Sequence, residues 1–304
     1  MRLSDYDKIC GKVVRDGEFH ALGLIGKKPP QCSLGYVQSD NFLEAACHEP
    51  NISCILCPPE FAGHEMLLKS EKGIAVGEVP RAAFIYLHNY LVDQENGYCP
   101  VYQRTQIGEG CNIHPSASIP ETGVIIGNHV TIEAFSVIRE GSCIGDHVTI
   151  HSGAVIGADN YDFCWDKDGH IVKMKQVGQT YLADHVEIGC HTIVGRAPFA
   201  YERTVIGENT CIESLVTVSH ACQIGKECYI GGKVNICGSV TIEDGVRINP
   251  MATIKDSVTI GKGAVVSLGG VVVNNVKHGT KVTGNFAIEH SKFLVDHLRK
   301  LRNR

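Results

Sequence analysis

His220 stands in the run Val216-Thr217-Val218-Ser219-His220-Ala221-Cys222-Gln223-Ile224-Gly225. An imidazole ionises near neutrality, at about 6.5 when unperturbed, so it suits a task of taking and returning a proton. The chain has 15 histidines. His114, His129, His147 and His185 read as ordinary turn residues, whereas the neighbours of His220 set it apart. Tyr36 and Phe42 form a second group. They read either as core residues or as an exposed aromatic pair. A third group lies in residues 158–180, a polar and aromatic stretch with Asn160, Tyr161, Asp162, Phe163 and the sole tryptophan, Trp165. Cys54-Ile55-Leu56-Cys57 is the one close cysteine pair. It sits in an apolar, strand-like run without a second pair at zinc-site spacing, so it reads as core rather than as a metal or redox centre.

The element that must position these residues is a repeat. From Ile206 to Val272 every sixth residue is Ile or Val. Neither a helix (period 3.6) nor a plain strand (period 2) produces that spacing, whereas a hexapeptide parallel β-helix does. Each branched residue points inward and stacks on its equivalents in the coils above and below. The same spacing runs through Ile107, Ile113 and Ile119, slips by one residue, and continues from Ile126 to Ile156. It stops at Gly157, so residues 158–180 form an excursion from the solenoid, as binding loops often do. Leu182, Ile188 and Val194 resume the coil, and a shorter break covers Arg196 to Arg203.

The fold class is therefore mainly β, a left-handed parallel β-helix over 101–283, with a small α/β domain over 1–100 and a helix over 284–304. In the first domain, Ala21–Ile25 and Ile52–Leu56 read as buried strands, and Asp40–Cys47 and Pro80–Asp93 as helices. The last helix, from Ala287 to Arg302, is basic. It reads as a cap on the open end of the solenoid or as a dock for an acidic partner. A formal net charge of −5 over 304 residues argues against a general nucleic-acid binder. No stretch has signal-peptide character or the length of a membrane span, which implies a cytoplasmic protein. The 14 cysteines fit a reducing compartment.

The run around His220 resembles the hexapeptide acyltransferases. Ile150-His151-Ser152-Gly153-Ala154-Val155-Ile156-Gly157-Ala158-Asp159, Gln176-Val177-Gly178, Val79-Pro80-Arg81-Ala82-Ala83-Phe84 and Phe286-Ala287-Ile288-Glu289-His290 resemble the UDP-3-O-acylglucosamine N-acyltransferase family of lipid A synthesis. The order of parts agrees along nearly the whole chain. The resemblance implies that Tyr36 and Phe42 hold a uracil between them, with Ser39 where the family has an amide. It implies His220 as general base, the backbone N–H of Gly238, one coil later, as oxyanion donor, and Glu213 at the family's acidic position. Ser257 stands where the family has a second histidine. Val194-Gly195-Arg196 replaces an Asp-Arg-Gly segment, with a longer stretch following.

The implied reaction is acyl transfer from a thioester to a sugar amine, without a bound cofactor or metal. His220 takes the amine proton and Gly238 steadies the oxyanion. Asn160, Tyr161, Asp162 and Phe163 would close over the sugar. The donor implied is acyl carrier protein, docked through the C-terminal helix, with acyl-CoA as the alternative. The assembly implied is a homotrimer acting on a nucleotide sugar. His151 reads more simply as a turn residue. Three other readings remain: a short-chain acyl-CoA enzyme of surface glycans, favoured by Ser257; a solenoid carbonic anhydrase using His185 and His191; and a non-enzymatic scaffold.

Overall fold

We describe the protein from a computed structural model, which covers residues 1–94 and 97–284 together with 289, 290, 292, 294, 295, 298 and 299. Near the N-terminus, β1 (Lys12–Arg15), β2 (Ala21–Leu22), β3 (Ser33–Tyr36), β4 (Ile52–Cys57) and β5 (Gly73–Val76) form one sheet in the order β1-β5-β4-β3-β2. All neighbours are parallel except β1 and β5. Besides the short α1 (Asp7–Cys10), the helices are α2 (Asp40–His48), α3 (Glu65–Lys69) and α4 (Pro80–Asp93). β4 lies mid-sheet among parallel neighbours, which is why it reads as an unbroken apolar run. Cys54 and Cys57 are fully buried there, and burial pushes both thiols up to about 11. Neutral, enclosed thiols are packing groups, as their context in the sequence implied.

From Gln106 to Val282 the chain winds through three parallel sheets of seven, eight and nine strands among the described residues. The register repeats every coil, for example Val218 against Ile236 and Ile236 against Ile254. The period-six side chains stack inside and are excluded from water, each burial contributing roughly 1.5–3 kcal/mol. The corners turn through residues with positive φ, such as Ala221 (55°), Ser239 (58°) and Ser257 (59°) on one edge. One edge also carries a stacked file of imidazoles, His129 on His147 and His147 on His185, with ring centres 5.0 and 4.9 Å apart. The product is the left-handed parallel β-helix that the hexads predict.

The excursion after Ala158 is not a free loop. It folds into a hairpin, Phe163–Trp165 against Ile171–Lys173. Cys164, Val172 and Met174 join Phe84, Leu87 and Leu91 of α4 in one apolar cluster. Polar contacts complete the seam. Asn89 donates to Lys173 O (2.8 Å) and accepts from Lys175 N (2.9 Å), and Tyr86 donates to Asp166 (2.8 Å). His88, fully buried, bridges Tyr98 and Lys175 O at 2.9 Å each. The expected helix over 287–302 falls largely outside the described residues, of which 290, 292, 294, 295, 298 and 299 are helical.

Candidate active site

His220 occupies the solenoid corner that follows the strand Thr217–Val218, and Gly238 occupies the same corner one coil on. The Nε2 edge of the imidazole lies against Gly238, so closely that a Cβ there would overlap the ring. Glycine is required at 238 by this approach, since no positive φ demands it. No hydrogen bond to the Gly238 N–H exists among the described residues, so that donor remains available. The His220 Nδ1 is buried and likewise lacks a partner among them. Burial holds the imidazole below its ordinary value; Asp162 and Asp256 oppose the shift, and Arg81 and Lys27 reinforce it. A neutral imidazole at physiological pH is a proton acceptor.

The ring faces a cleft of about 350 Å³. Its walls come from three places: Leu24, Lys27 and Lys28 of the N-terminal sheet unit, Asp162 of the excursion, and Tyr201, Glu202 and Arg203 of the second break. Asp162 accepts from Arg81 Nη2 at 2.7 Å. Arg81 belongs to the first turn of α4, and its charge and that of Asp162 both act on the phenol of Tyr36. A line of interacting side chains thus runs from the end of β3 to the candidate base.

Tyr36 ends β3 and packs on Phe84, ring centres 5.0 Å apart. Phe42 lies in the first turn of α2 and is 55% exposed. Ser39 caps α2 with extended backbone, and its hydroxyl makes no cap bond. One aromatic is therefore half-buried and the other open, and the two rings do not stack on each other.

Of the residues that the sequence singles out, His220 and Asp162 line this cleft and the others stand off it. Glu213 lies at the next corner, where it accepts from Tyr229 Oη (2.5 Å) and Gly232 N (2.6 Å). It lines a separate groove with His151 and Glu187. The reason is geometric: seven residues advance the chain by one corner, and only eighteen return it to the same one. Tyr161 is exposed beneath Lys173, Phe163 packs on Trp165, and Asn160 is fixed by its N–H to Gln176 Oε1. None of the three lines the cleft beside His220. His151 is held between Glu133 (3.0 Å) and Glu187 (2.8 Å). His185 and His191 precede strands of different sheets and so sit at different corners. Among the described residues, the one grouping with metal-ligand spacing is Asp166, Asp168 and His170 at the hairpin tip. There Asp166 already accepts from Tyr86 and from two backbone N–H groups.

A family model for the bacterial transferase hexapeptide (six repeats) matches residues 123–158. The UDP-3-O-acylglucosamine N-acyltransferase of Coxiella burnetii is 31% identical over 173 residues, 48% of this chain and 49% of its own length. The enzyme of that name from Sinorhizobium fredii is 37% identical over 118 residues, 39% of this chain and 27% of its own. Over part of its length the chain is thus similar to hexapeptide-repeat acyltransferases. It spans about half the length, or less, of these curated relatives. The solved UDP-N-acetylglucosamine acyltransferase of Francisella novicida aligns with 64% of this chain and 71% of its own, at 22% identity and a TM-score of 0.49.

Sequence reasoning missed Lys27, Arg81 and Glu202. Lys27 crosses to the solenoid edge and donates to Ser257 Oγ at 3.4 Å. A cation from the N-terminal unit thus stands where the resemblance led us to look for a second histidine. Arg81 was within a quoted motif, but its pairing with Asp162 depends on tertiary docking that no local pattern encodes.

Proposed function

We propose that the protein transfers an acyl group from a thioester carrier to the amino group of a nucleotide-activated amino sugar. The observation that carries this reading is the continuous path from Tyr36 through Arg81 and Asp162 to the His220 cleft. A nucleotide base between Tyr36 and Phe42 would gain about 1–3 kcal/mol from stacking. Its sugar would then extend toward Asp162 and His220. The amine nitrogen attacks the thioester carbonyl carbon while its proton passes to His220 Nε2. The oxyanion so formed meets the Gly238 N–H. Collapse breaks the C–S bond, and the departing sulfur takes the proton back from the imidazole.

The finer reading, supported by the names of the relatives, is N-acylation of a UDP-3-O-acylglucosamine with an acyl carrier protein donor. The working unit is a homotrimer. In its support, Leu215 (52% exposed), Lys233 and Met251 (62%) occupy one corner of successive coils and line an open groove. The test offers purified protein a UDP-linked 3-O-acylglucosamine with 3-hydroxyacyl carrier protein and acyl-CoA in parallel, and follows products by mass spectrometry. Transfer from the carrier protein is the expected result. Transfer from acyl-CoA alone moves the enzyme to surface-glycan chemistry, and no transfer from either refutes the reading.

A further inference from the structure

One acid in the cleft has no task in the reaction above. Glu202 lies in the second break, and that segment is anchored on every side. Arg196 donates to Gln176 O (3.2 Å) and to Glu140 O. Phe199 is buried edge-on to Phe84 and His88. Tyr201 stacks on Phe199 (5.4 Å, 8°) and donates to Leu22 O at 3.1 Å. Glu202 itself donates its N–H to Phe199 O (2.9 Å) and accepts from Gln179 N (3.0 Å). Its main chain is thereby fixed, and its side chain lines the cleft with His220.

The other charges facing this space are committed or cationic. Asp162 is paired with Arg81, Lys27 with the Ser257 hydroxyl, and Lys28 and Arg203 stand at the walls. Glu202 forms no ion pair within 4 Å among the described residues. Partial burial pushes its carboxyl up to about 7, against the pull of Lys27 and of a backbone hydrogen bond at Phe199. A carboxyl so placed is poised to ionise when a cation enters the cleft.

We propose that Glu202 selects the acceptor by holding its amino group as an ammonium beside His220, so that amines are taken in preference to hydroxyls. The inference rests on the nucleotide amino-sugar reading. The ammonium is unreactive until one N–H proton returns to the Glu202 carboxylate, which frees the nitrogen lone pair. The second N–H proton then passes to His220 as the nitrogen attacks, and leaves with the sulfur. A hydroxyl acceptor brings no charge and gains nothing from Glu202. The segment that carries Glu202 interrupts the repeat, so the preference is a property of this insertion and not of the coil.

The test is calorimetric titration of the wild type and Glu202→Gln with UDP-glucosamine and with UDP-glucose, which differ at the reacting group. The wild type is expected to bind the amino sugar at least tenfold more tightly, and Glu202→Gln to bind both alike. Glu202→Ala is carried in parallel, and thermal melts establish that the variants compared are folded. An undiminished amine preference in the folded variants overturns the role of Glu202 and leaves the nucleotide-sugar reading standing. Failure of the wild type to bind either compound overturns that reading and this inference with it.

Discussion

The Nε2 edge of His220 rests against the Cα of Gly238, one coil further along the solenoid, with no room for a methyl group between them. The candidate base and the candidate oxyanion donor are therefore one packed unit. Replacing Gly238 by Ala is expected to displace the imidazole and lower kcat at least tenfold, with the melting temperature little changed. In the His220→Ala background the same substitution should cost almost nothing more. A double-mutant cycle on kcat measures this, and additive losses would show that the two positions act separately.

His220 titrates below its ordinary value because it is withdrawn from water. The base works unprotonated, so activity should persist below pH 6.5 and fall only as pH drops through the lowered value. The acid limb of kcat/KM against pH locates it. His220→Ala should remove that limb and reduce the rate by roughly 10²–10⁴-fold.

Phe42 and Tyr36 should separate by experiment. Phe42 is exposed, so Phe42→Ala is expected to weaken uridine-nucleotide binding by about 1–3 kcal/mol and leave the melting temperature unchanged. Tyr36 also packs on Phe84, so Tyr36→Ala should lose both affinity and stability. Equilibrium titration with UDP and thermal melts distinguish the two outcomes.

His88 of α4 is buried against Tyr98 and Lys175, and burial lowers its ionisation to about 4. The unfolded chain binds a proton near 6.5, so the folded state is penalised as pH falls from 6.5 toward 4. The penalty approaches about 3 kcal/mol. Denaturant unfolding at pH 7 and pH 4.5 should show a loss that is smaller in His88→Gln. Equal pH sensitivity in both proteins would count against this role.

The solenoid was legible because its signal is local and repeated: one branched residue in six, with one inward position for each. The spans of α2 and α4 were legible for a similar reason, since cap residues and Pro80 mark their starts. What escaped the sequence was the placing of side chains across elements. Glu213 is near His220 in sequence yet turns to another corner, because a coil has three corners and a step of seven reaches the next. Glu202 is a single acid in a short break, and nothing local announces that Phe199 and Tyr201 pin it over the cleft. The excursion invited a reading as a lid because it is aromatic. In the structure Cys164, Val172 and Met174 anchor it on α4, while Tyr161, Phe163, Trp165 and Ile171 stay exposed.

That hairpin has a mechanical consequence. Together with Phe199 on Phe84 and Tyr201 on Leu22 O, it splints the N-terminal unit to the solenoid and fixes the gap between Phe42 and His220. A bound molecule gripped at both ends must span that gap, so the seam works as a calliper whose setting is written in Asn89, Tyr86 and Arg81 rather than in either jaw.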